Sequence, residues 1–351
     1  MKLSVCMIVK NEEETIARCL DCVKNFADEI IIVDTGSKDN TVNLIKEYTT
    51  KIFHFDWIND FSAARNFSFS KATCEYIMWI DADDIITDEN IEKLKQLKKH
   101  LNKDVYMLKY AASFDKQGKP SFEYYRERII KNCKYAKWNG FIHEAISPFG
   151  NIEYLDISIY HKKEKPTNPK RNLKIYNYQI KNGRKLNIRE TYYYAKELYY
   201  NNYISSAIKT LNKFLKFKNR YYPNTIDAII TLARCYKNKN QTTKALTMLT
   251  KNLASLYPTS EYLCELGDTY YNNKNFKSAI PYYTAALAIT KENNGIFYNN
   301  DYYYFIPLLQ LSVCYYYTKN YSAAKKYFYL AKSTNSNHDL ILQNEKYFKN
   351  L

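Results

Sequence analysis

Glycine is scarce in this sequence, which has only seven in 351 residues. The chain has neither the G-x-x-x-x-G-K-[ST] loop of P-loop enzymes nor the G-x-G-x-x-G loop of dinucleotide-binding proteins. Both loops depend on glycine because the backbone has to approach a phosphate group closely. Their absence excludes the common phosphate-loop enzymes.

Long apolar runs are also missing. No stretch approaches the roughly 18 apolar residues of a membrane span, and the apolar N-terminus reaches Lys10 too early for a secretory signal. The eight cysteines are scattered, several of them within apolar runs, which is typical of reduced core thiols. Cys19 and Cys22 form a C-x-x-C motif inside a predicted amphipathic helix, and we interpret them as structural. These features predict a cytoplasmic protein without a membrane span.

Acidic residues are few in the second half of the chain. Residues 166–351 contain 27 basic and 10 acidic residues, whereas residues 1–165 contain 25 basic and 26 acidic ones. This excess of positive charge reflects either a lysine-rich composition or a basic surface for an acidic partner. Lysines and tyrosines interleave between residues 162 and 222, as in proteins that bind single-stranded RNA, but the chain has no recognisable nucleic-acid-binding module. Nucleic acid is therefore the less favoured partner, and salt-sensitive RNA binding without nucleotide-sugar binding would support it.

The first hundred residues alternate between strand and helix periodicity, which is typical of βαβ units. Continuous apolar runs in the second and fourth strands indicate burial on both faces, and hence a mostly parallel sheet covered by helices. Residues 111–160 show short strands and turns, from which we expect an antiparallel lid on that sheet. The predicted strands are 3–9, 29–34, 51–55, 75–81 and 104–110, and the predicted helices are 12–26, 39–49, 60–72 and 87–101.

The second half of the chain is helical and repetitive. Four segments share one plan, in which a small residue is followed by aromatic residues, a polar turn and a closing alanine. This plan resembles the tetratricopeptide repeat, whose period is about 34 residues. The last interval is longer because of a polar insertion at 291–300. The four segments are 195–207, 233–245, 267–279 and 312–324.

Prolines at 166 and 169 interrupt regular structure between the two patterns. We therefore expect an α/β domain at 1–165 and an all-α repeat domain at 166–351.

Aspartates follow two of the predicted strands. Asp34 ends the run EIIIVD, and Asp81 and Asp83 follow the run YIMWI. In open α/β sheets, ligands bind beyond the carboxyl ends of the strands, so these side chains mark the expected site. Residues two apart on an extended segment share a face, and we therefore expect Asp81 and Asp83 to address one hard cation, Mg²⁺ or Mn²⁺. Such a cation would neutralise the charge on a departing diphosphate.

Five motifs occur in order along the first domain: VCMIVKNEE (5–13), IIIVDTGSKDNTV (30–42), NDFSAARNFS (59–68), IMWIDADD (77–84) and WNGFIHE (138–144). Together they resemble the inverting family 2 glycosyltransferases of GT-A fold. The resemblance is greatest to bacterial members with a tetratricopeptide-like tail, a group that includes peptide- and protein-modifying enzymes such as the glycocin S-glycosyltransferases. It implies a GT-A domain followed by an all-α repeat domain, a UDP-sugar donor and a divalent cation.

The resemblance also implies roles for individual residues. Asp83 is expected to be the principal metal ligand, with Asp81 facing both ribose and metal and His161 supplying a further ligand. Arg65 is expected to pair either with phosphate or with the acidic motif, and Trp138 either to stack on a sugar or to lie in the core. The residues expected to bind the nucleotide sugar are Val9, Asn11, Glu12, Asp34, Arg65, Asn66, Asp81 and Trp138.

An inverting transferase needs a base that deprotonates the acceptor. Within WNGFIHE, Glu144 is the first candidate, with His143 as its neighbour or substitute. The commoner family pattern has an acidic Glu-Asp pair at this position. A zinc-protease interpretation of His143-Glu144 fails because position 147 is Ser147, so the second histidine of H-E-x-x-H is missing.

These features predict a metal-dependent hexosyltransferase. It would move a hexose or an N-acetylhexosamine from a UDP-sugar to a protein or peptide side chain, bound in part by the repeat domain. The residues are compatible with glucose or N-acetylglucosamine as the sugar, and with a hydroxyl or a thiol as the acceptor. Two alternatives are a transferase acting on a cell-surface glycan and a non-catalytic repeat scaffold that binds a protein partner. Retention of Asp34, Asp81 and Asp83 argues against the scaffold.

Overall fold

The computed structural model describes the whole chain except residues 115–117, 119, 163, 165–167, 255, 291–298, 337 and 349–351. The chain divides into two compact units, Met1–Lys185 (unit 1) and Leu186–Leu351 (unit 2). The expected interruption at 165–169 and the polar insertion at 291–300 lie largely outside the described residues.

The division between the units lies beyond the expected boundary after residue 165 because helix α5 (Arg171–Lys181) packs on unit 1. Tyr176 of this helix is fully buried, and its ring centroid lies 5.0 Å from that of Phe141. Gln179 donates a hydrogen bond of 2.9 Å to the backbone oxygen of Asn59. An amphipathic helix has to bury its apolar stripe, and α5 does so on the α/β unit.

Unit 1 consists of strands and helices in alternation, as the first hundred residues predict. Its described strands are β1 (Leu3–Val9), β2 (Glu29–Asp34), β3 (Ile52–His54), β4 (Tyr76–Trp79), β5 (Asp84–Ile85), β6 (Val105–Phe114), β7 (Pro120–Lys131), β8 (Trp138–Asn139), β9 (Ala145–Ile146) and β10 (Ile152–His161). The helices that precede α5 are α1 (Ile16–Val23), α2 (Thr41–Ile45), α3 (Phe61–Phe69) and α4 (Asp88–Lys99).

Eight of these strands form one sheet in the order β3-β2-β1-β4-β7-β6-β10-β5. Strands β3, β2, β1 and β4 are parallel, and β7 is antiparallel to both β4 and β6. Strand β10 is parallel to β6 and antiparallel to β5. The expected α/β class is confirmed, but the antiparallel lid predicted for 111–160 is wrong. Most of that segment extends the main sheet, because β7 buries Ile129 and Ile130 on its two faces as a central strand.

The sheet is buried on both faces. Tyr76 and Met78 of β4 contribute to one hydrophobic core, whereas Ile77 and Trp79 contribute to the other. Successive residues of a strand point to opposite faces, so a run without polar alternation is buried on both sides. This arrangement leaves the ends of the strands as the accessible parts of the sheet.

Unit 2 consists of helix pairs, which confirms the predicted repeat architecture. Each of four pairs turns through a residue with positive φ two positions before its second helix, namely Asn202, Asn240, Lys274 and Lys319. A left-handed residue of this kind commonly terminates a helix. The described helices are α6 (Ile188–Tyr200), α7 (Ile204–Lys216), α8 (Tyr222–Asn238), α9 (Thr242–Leu253), α10 (Ser260–Asn272), α11 (Phe276–Leu287), α12 (Asp301–Tyr304), α13 (Ile306–Tyr317), α14 (Tyr321–Thr334) and α15 (Asp339–Phe348).

Small residues allow the paired helices to approach closely. The closing alanines of the four predicted segments, Ala207, Ala245, Ala279 and Ala324, are all fully buried. In the α10–α11 pair, a Cβ atom added to Gly267 would lie 2.6 Å from the ring of Tyr283. The small-residue pattern in the sequence thus corresponds to the contact between the two helices of each pair.

Glu29 is a buried carboxylate at the start of β2, at the end of the sheet away from Asp34. Thr73 donates to it from its backbone N–H (2.9 Å) and its hydroxyl (2.8 Å), and Ser4 and Lys51 donate as well. Burial alone would raise the pKa of Glu29, but these donors outweigh burial and lower the pKa to about 2. Ionised Glu29 therefore stabilises the fold.

We expect Glu29→Gln to reduce the free energy of unfolding of unit 1 by about 1–3 kcal/mol at neutral pH, because buried donors lose an ionised acceptor. The stabilisation is present above the usual pKa of 4.5 and is lost as pH falls towards about 2, so wild type and variant should converge there. Denaturant unfolding followed by tryptophan fluorescence measures this, since all three tryptophans lie in unit 1. The exposed Glu47→Gln is the control, and equal stability of Glu29→Gln and wild type at every pH would contradict the expectation.

Candidate active site

The carboxyl ends of β1, β2 and β3 lie side by side. Val9 is opposite Asp34 in the register of β1 and β2, and Asp34 is opposite His54 in the register of β2 and β3. The backbone oxygen of Val9 accepts hydrogen bonds from the backbone N–H (2.9 Å) and the hydroxyl (3.0 Å) of Thr35. The structure thus brings two of the predicted nucleotide-binding residues together at one rim.

The loop after β2 is held by residues predicted to bind the nucleotide. The carboxylate of Asp34 accepts from the backbone N–H groups of Gly36 and Ser37, each at 3.1 Å. Asn11 accepts from the backbone N–H of Lys38 at 2.8 Å, and the backbone N–H of Glu12 donates to the hydroxyl of Thr41 at 2.7 Å. Asp34, Asn11 and Glu12 therefore shape this rim through contacts with their own loops.

The motif Asp81-Ala82-Asp83-Asp84 is a turn. The backbone N–H of Asp84 donates to the backbone oxygen of Asp81 at 3.0 Å, and β4 already ends at Trp79. The expectation that Asp81 and Asp83 share a face of an extended segment is therefore wrong. The two carboxylates have different partners, Arg65 for Asp81 and His161 for Asp83.

Arg65 of α3 joins Asp81 to the predicted base. Its Nη2 donates to Asp81 and its Nε donates to Glu144, both at 2.8 Å. The guanidinium is buried over the rings of Trp138 (4.8 Å) and Trp79 (5.2 Å). Arg65 was expected to pair either with phosphate or with the acidic motif, and in the structure it pairs with Asp81 of that motif.

The Arg65 contact determines the ionisation of Asp81. Burial would raise the pKa of Asp81, but the charges of Arg65 and Arg128, the hydrogen bond from Arg65 and the charge of His161 outweigh burial and lower the pKa to about 2. Asp81 is thus a permanent anion at physiological pH. In turn, Asp81 and Glu144 raise the pKa of Arg65 above its usual value despite burial, so the cation is equally permanent.

Trp138 lies in the core, which was one of its two expected positions. It is 2% exposed, with its ring 5.0 Å from Trp79 and 6.0 Å from Phe69. Asn66 forms two hydrogen bonds with the backbone of Trp138, at 2.9 and 3.0 Å. Trp138 is thus packed in the core, and Asn66 holds its backbone in place.

His143 and Glu144 lie in the loop between β8 and β9, which pair as a small hairpin. Gly140 and His143 have positive φ values of 91° and 50°, which turn the chain back on itself. Glu144 is mostly buried, and its Oε1 accepts from Arg65. The hairpin thus places Glu144, the predicted base, in contact with Arg65, which also binds Asp81.

Among the described residues, one group of acidic and histidine side chains could hold a metal ion. It consists of Asp83, Asp84 and His161, whose ligand atoms all lie within 4.8 Å of one another. The Nδ1 atom of His161 is 3.3 Å from Asp83 and 3.2 Å from Asp84. Two of the three predicted metal ligands are therefore together, whereas Asp81 is engaged by Arg65.

The charge of this group suits a cation. Burial would lower the pKa of His161, but the hydrogen bonds and negative charges of Asp83 and Asp84 raise it to about 10. An imidazolium thus compensates the carboxylates, and a divalent ion that displaces its proton would do the same. Carboxylate and imidazole are ligands that Mn²⁺ accepts, and Mg²⁺ prefers the oxygen donors. The residues fit either ion.

Sequence reasoning missed Asp84, Tyr110 and Arg128. Asp84 and Arg128 form a fully buried ion pair of 3.2 Å, and the hydroxyl of Tyr110 donates to Asp84 at 3.1 Å. The available signals were the second aspartate in succession after Asp83 and an arginine just before the apolar pair Ile129-Ile130. A charged residue within a central strand is uncommon unless it is paired.

Residues 4–152 match the family model described as glycosyl transferase family 2. The chain carries a family 2 glycosyltransferase domain. Residues 260–293, which include α10 and α11, match the tetratricopeptide repeat. The expected order of a GT-A-type α/β domain followed by a tetratricopeptide-like region is confirmed.

Two relatives are similar to this chain over different shares of its length. The SPbeta prophage-derived glycosyltransferase SunS of Bacillus subtilis strain 168 is 28% identical over 283 residues, which cover 72% of this chain and 62% of that protein. A TPR repeat-containing protein of Synechococcus elongatus is 47% identical over 83 residues, which cover 24% of this chain and 21% of that protein. This chain thus spans less than two thirds of the length of either relative.

A solved structure that aligns over most of both chains is that of S. aureus TarS 1-349 in complex with UDP-GlcNAc. It covers 96% of this chain and 93% of that chain, at 12% identity and a TM-score of 0.38. No correspondence of individual residues follows from a likeness at this score.

No helix in the described part of the chain combines the length and apolar character that a bilayer crossing requires.

We expect Arg65→Met to raise the pKa of Asp81 from about 2 to above its usual 3.8, because burial remains while the nearest cation is removed. A carbon-detected NMR titration of the Asp81 carboxylate, assigned with Asp81→Asn, measures this shift. Arg126→Met is the matched control, since Arg126 also lies over Trp79, at 4.9 Å, but pairs with Glu127. Titration of Asp81 near 2 in Arg65→Met would contradict the assignment.

Proposed function

We propose that this family 2 protein is an inverting, metal-dependent hexosyltransferase that uses a UDP-sugar. The observation that carries the proposal is the arrangement beyond β4, where Asp83 and His161 can hold a cation while Arg65 links Asp81 to Glu144. The donor would bind at the rim formed by Val9, Asn11, Glu12 and Asp34, and the sugar would be a hexose or an N-acetylhexosamine.

Asp83 and His161 would hold the cation. A bound Mg²⁺ or Mn²⁺ supplies charge stabilisation for the departing diphosphate. Asp83 is the accessible carboxylate of the pair with Asp84, since its side chain is 18% exposed and that of Asp84 is fully buried. Asp81 would orient Arg65 and face the ribose, as the family resemblance implies.

Glu144 would act as the base. The acceptor hydroxyl or thiol has to lose its proton as it attacks the anomeric carbon, and a carboxylate within hydrogen-bond reach can accept that proton. Arg65 donates to Oε1 of Glu144, and this contact would fix the direction of the carboxylate. His143 is the neighbouring substitute.

The acceptor would be a protein or peptide side chain bound in part by unit 2. Tetratricopeptide-like units offer extended surfaces for chains, and residues 166–351 carry a net charge of +17 that would attract an acidic acceptor. A cell-surface glycan is the alternative acceptor. A non-catalytic scaffold would bind a protein partner without consuming a nucleotide sugar, so turnover separates it from the transferase.

We expect a panel of UDP-sugars to identify one donor that raises the melting temperature and releases UDP only with Mn²⁺ or Mg²⁺. Asp83→Asn should abolish both effects of the metal, because it removes the accessible carboxylate ligand. Asp156→Asn is the control, since it removes an 80% exposed carboxylate from β10, the strand that carries His161. Full metal-dependent UDP release by Asp83→Asn would refute the metal assignment.

We expect Glu144→Gln to lower the rate of sugar transfer by about 10²–10⁴-fold, as is typical for loss of a general base. Binding of donor and metal should change little, because the amide oxygen can still accept from Arg65. Steady-state kinetics and donor titration separate the two effects, with His143→Ala as the comparison. A larger loss of transfer in His143→Ala than in Glu144→Gln would move the base to His143.

We expect replacement of Lys209, Lys213, Lys216 and Lys218 by glutamine to weaken the binding of a glutamate-rich serine peptide and to flatten its dependence on salt. All four lysines are exposed, and long-range attraction between exposed charges is screened by salt. Fluorescence anisotropy at low and high salt measures both effects. Replacement of the exposed Lys244, Lys251, Lys274 and Lys277 makes the same change of charge elsewhere in unit 2. An unchanged affinity and salt dependence in the first variant would refute the acidic acceptor.

A further inference from the structure

Asp84 has the position of a metal ligand but no free acceptor site. Its Oδ1 accepts from the hydroxyl of Tyr110 (3.1 Å) and lies 3.2 Å from Nδ1 of His161. Its Oδ2 accepts from the backbone N–H of Asp81 (3.1 Å) and from Nη1 of Arg128 (3.2 Å). A carboxylate has about four lone-pair sites. All four are used, and the side chain is fully buried.

Arg128 reaches Asp84 because β7 has an irregularity at this residue. Tyr106 is opposite Ile129 and Met107 is opposite Glu127, so Arg128 is the extra residue of a bulge. Bulges next to functional sites commonly redirect a side chain. The guanidinium lies 3.5 Å from the ring centroid of Trp79 and 4.3 Å from that of Tyr110.

Stability alone does not explain a buried arginine at position 128. Its Nε and Nη2 atoms are buried without a hydrogen-bond partner among the described residues, and burying unsatisfied donors is destabilising. A buried ion pair is also weak evidence for stabilisation, since apolar side chains of similar size often do as well. Groups that destabilise the fold, such as this buried guanidinium, are expected at functional sites.

We propose that Arg128 and Asp84 are positioning residues for the metal site. Arg128 fixes the carboxylate of Asp84, and Asp84 fixes the Asp81–Asp84 turn and the Nδ1 side of His161. Asp83 and the imidazole of His161 are then the groups presented to the cation. This inference rests on the proposed metal-dependent function and assigns Asp84 an orienting role instead of a ligand role. Histidine ligands of metals are commonly oriented in this way by a carboxylate on the second ring nitrogen.

The test is the affinity of the full chain for Mn²⁺, measured by electron paramagnetic resonance of the free ion, with and without UDP. We expect Asp84→Asn to weaken Mn²⁺ binding by about 10–100-fold, as losses of orienting partners do. Tyr110→Phe removes one of the four contacts and should weaken it by about threefold. Glu29→Gln is the matched control, because Glu29 is also a buried carboxylate with several donors but lies at the other end of β2. Its Mn²⁺ affinity should equal that of the wild type.

The outcomes separate this inference from the proposed function. If the wild type binds Mn²⁺ and folded Asp84→Asn binds it equally well, the positioning role is refuted while the metal site stands. If Asp84→Asn does not fold, Tyr110→Phe decides, and an unchanged affinity in that variant refutes the role. Absence of Mn²⁺ binding by the wild type, with and without UDP, overturns the proposed metal dependence and this inference with it. Equal weakening in Glu29→Gln would attribute the effect to stability and also refute the role.

Discussion

The site depends on cations that neutralise three carboxylates, which one short turn after β4 places in a largely buried position. Asp81 is paired with Arg65, Asp83 with His161 and Asp84 with Arg128. Burying a carboxylate without a cation would cost several kcal/mol, so the turn after β4 requires partners from elsewhere in the unit. They come from α3, β10 and β7, which is why these elements meet at this point.

The three pairs differ in their access to solvent. Asp84 and Arg128 are both fully buried, whereas the side chains of Asp83 and His161 are 18% and 27% exposed. Asp84 and Arg128 are therefore out of reach of a solvated ion, whereas a divalent ion at the proposed site would meet Asp83 and His161. In the third pair the side chains of Arg65 and Asp81 are 11% and 27% exposed, and Arg65 also binds Glu144, so this arginine joins the turn to the candidate base.

Sequence patterns predicted the elements whose burial is uniform or periodic. Strands β1, β2 and β4 follow continuous apolar runs, and the helix pairs of unit 2 follow small residues at fixed spacing. Strand β7 was not predicted, because Arg126 and Arg128 break its apolar pattern, and Arg128 is buried only through its tertiary partner Asp84. The different partners of Asp81 and Asp83 were missed for a related reason: strand periodicity does not describe a turn closed by a backbone hydrogen bond. Single-residue roles thus depended on long-range pairs that a local pattern does not encode.

The central claim is that a divalent ion and a nucleoside diphosphate meet at Asp83 and His161. The most direct measurement is a crystal structure of the full chain grown with Mn²⁺ and UDP, with anomalous scattering used to locate manganese. The account predicts one strong anomalous peak in contact with the Asp83 carboxylate and the imidazole of His161, with the diphosphate of UDP beside it. Bound UDP without a peak there, or manganese held by other residues, would contradict it.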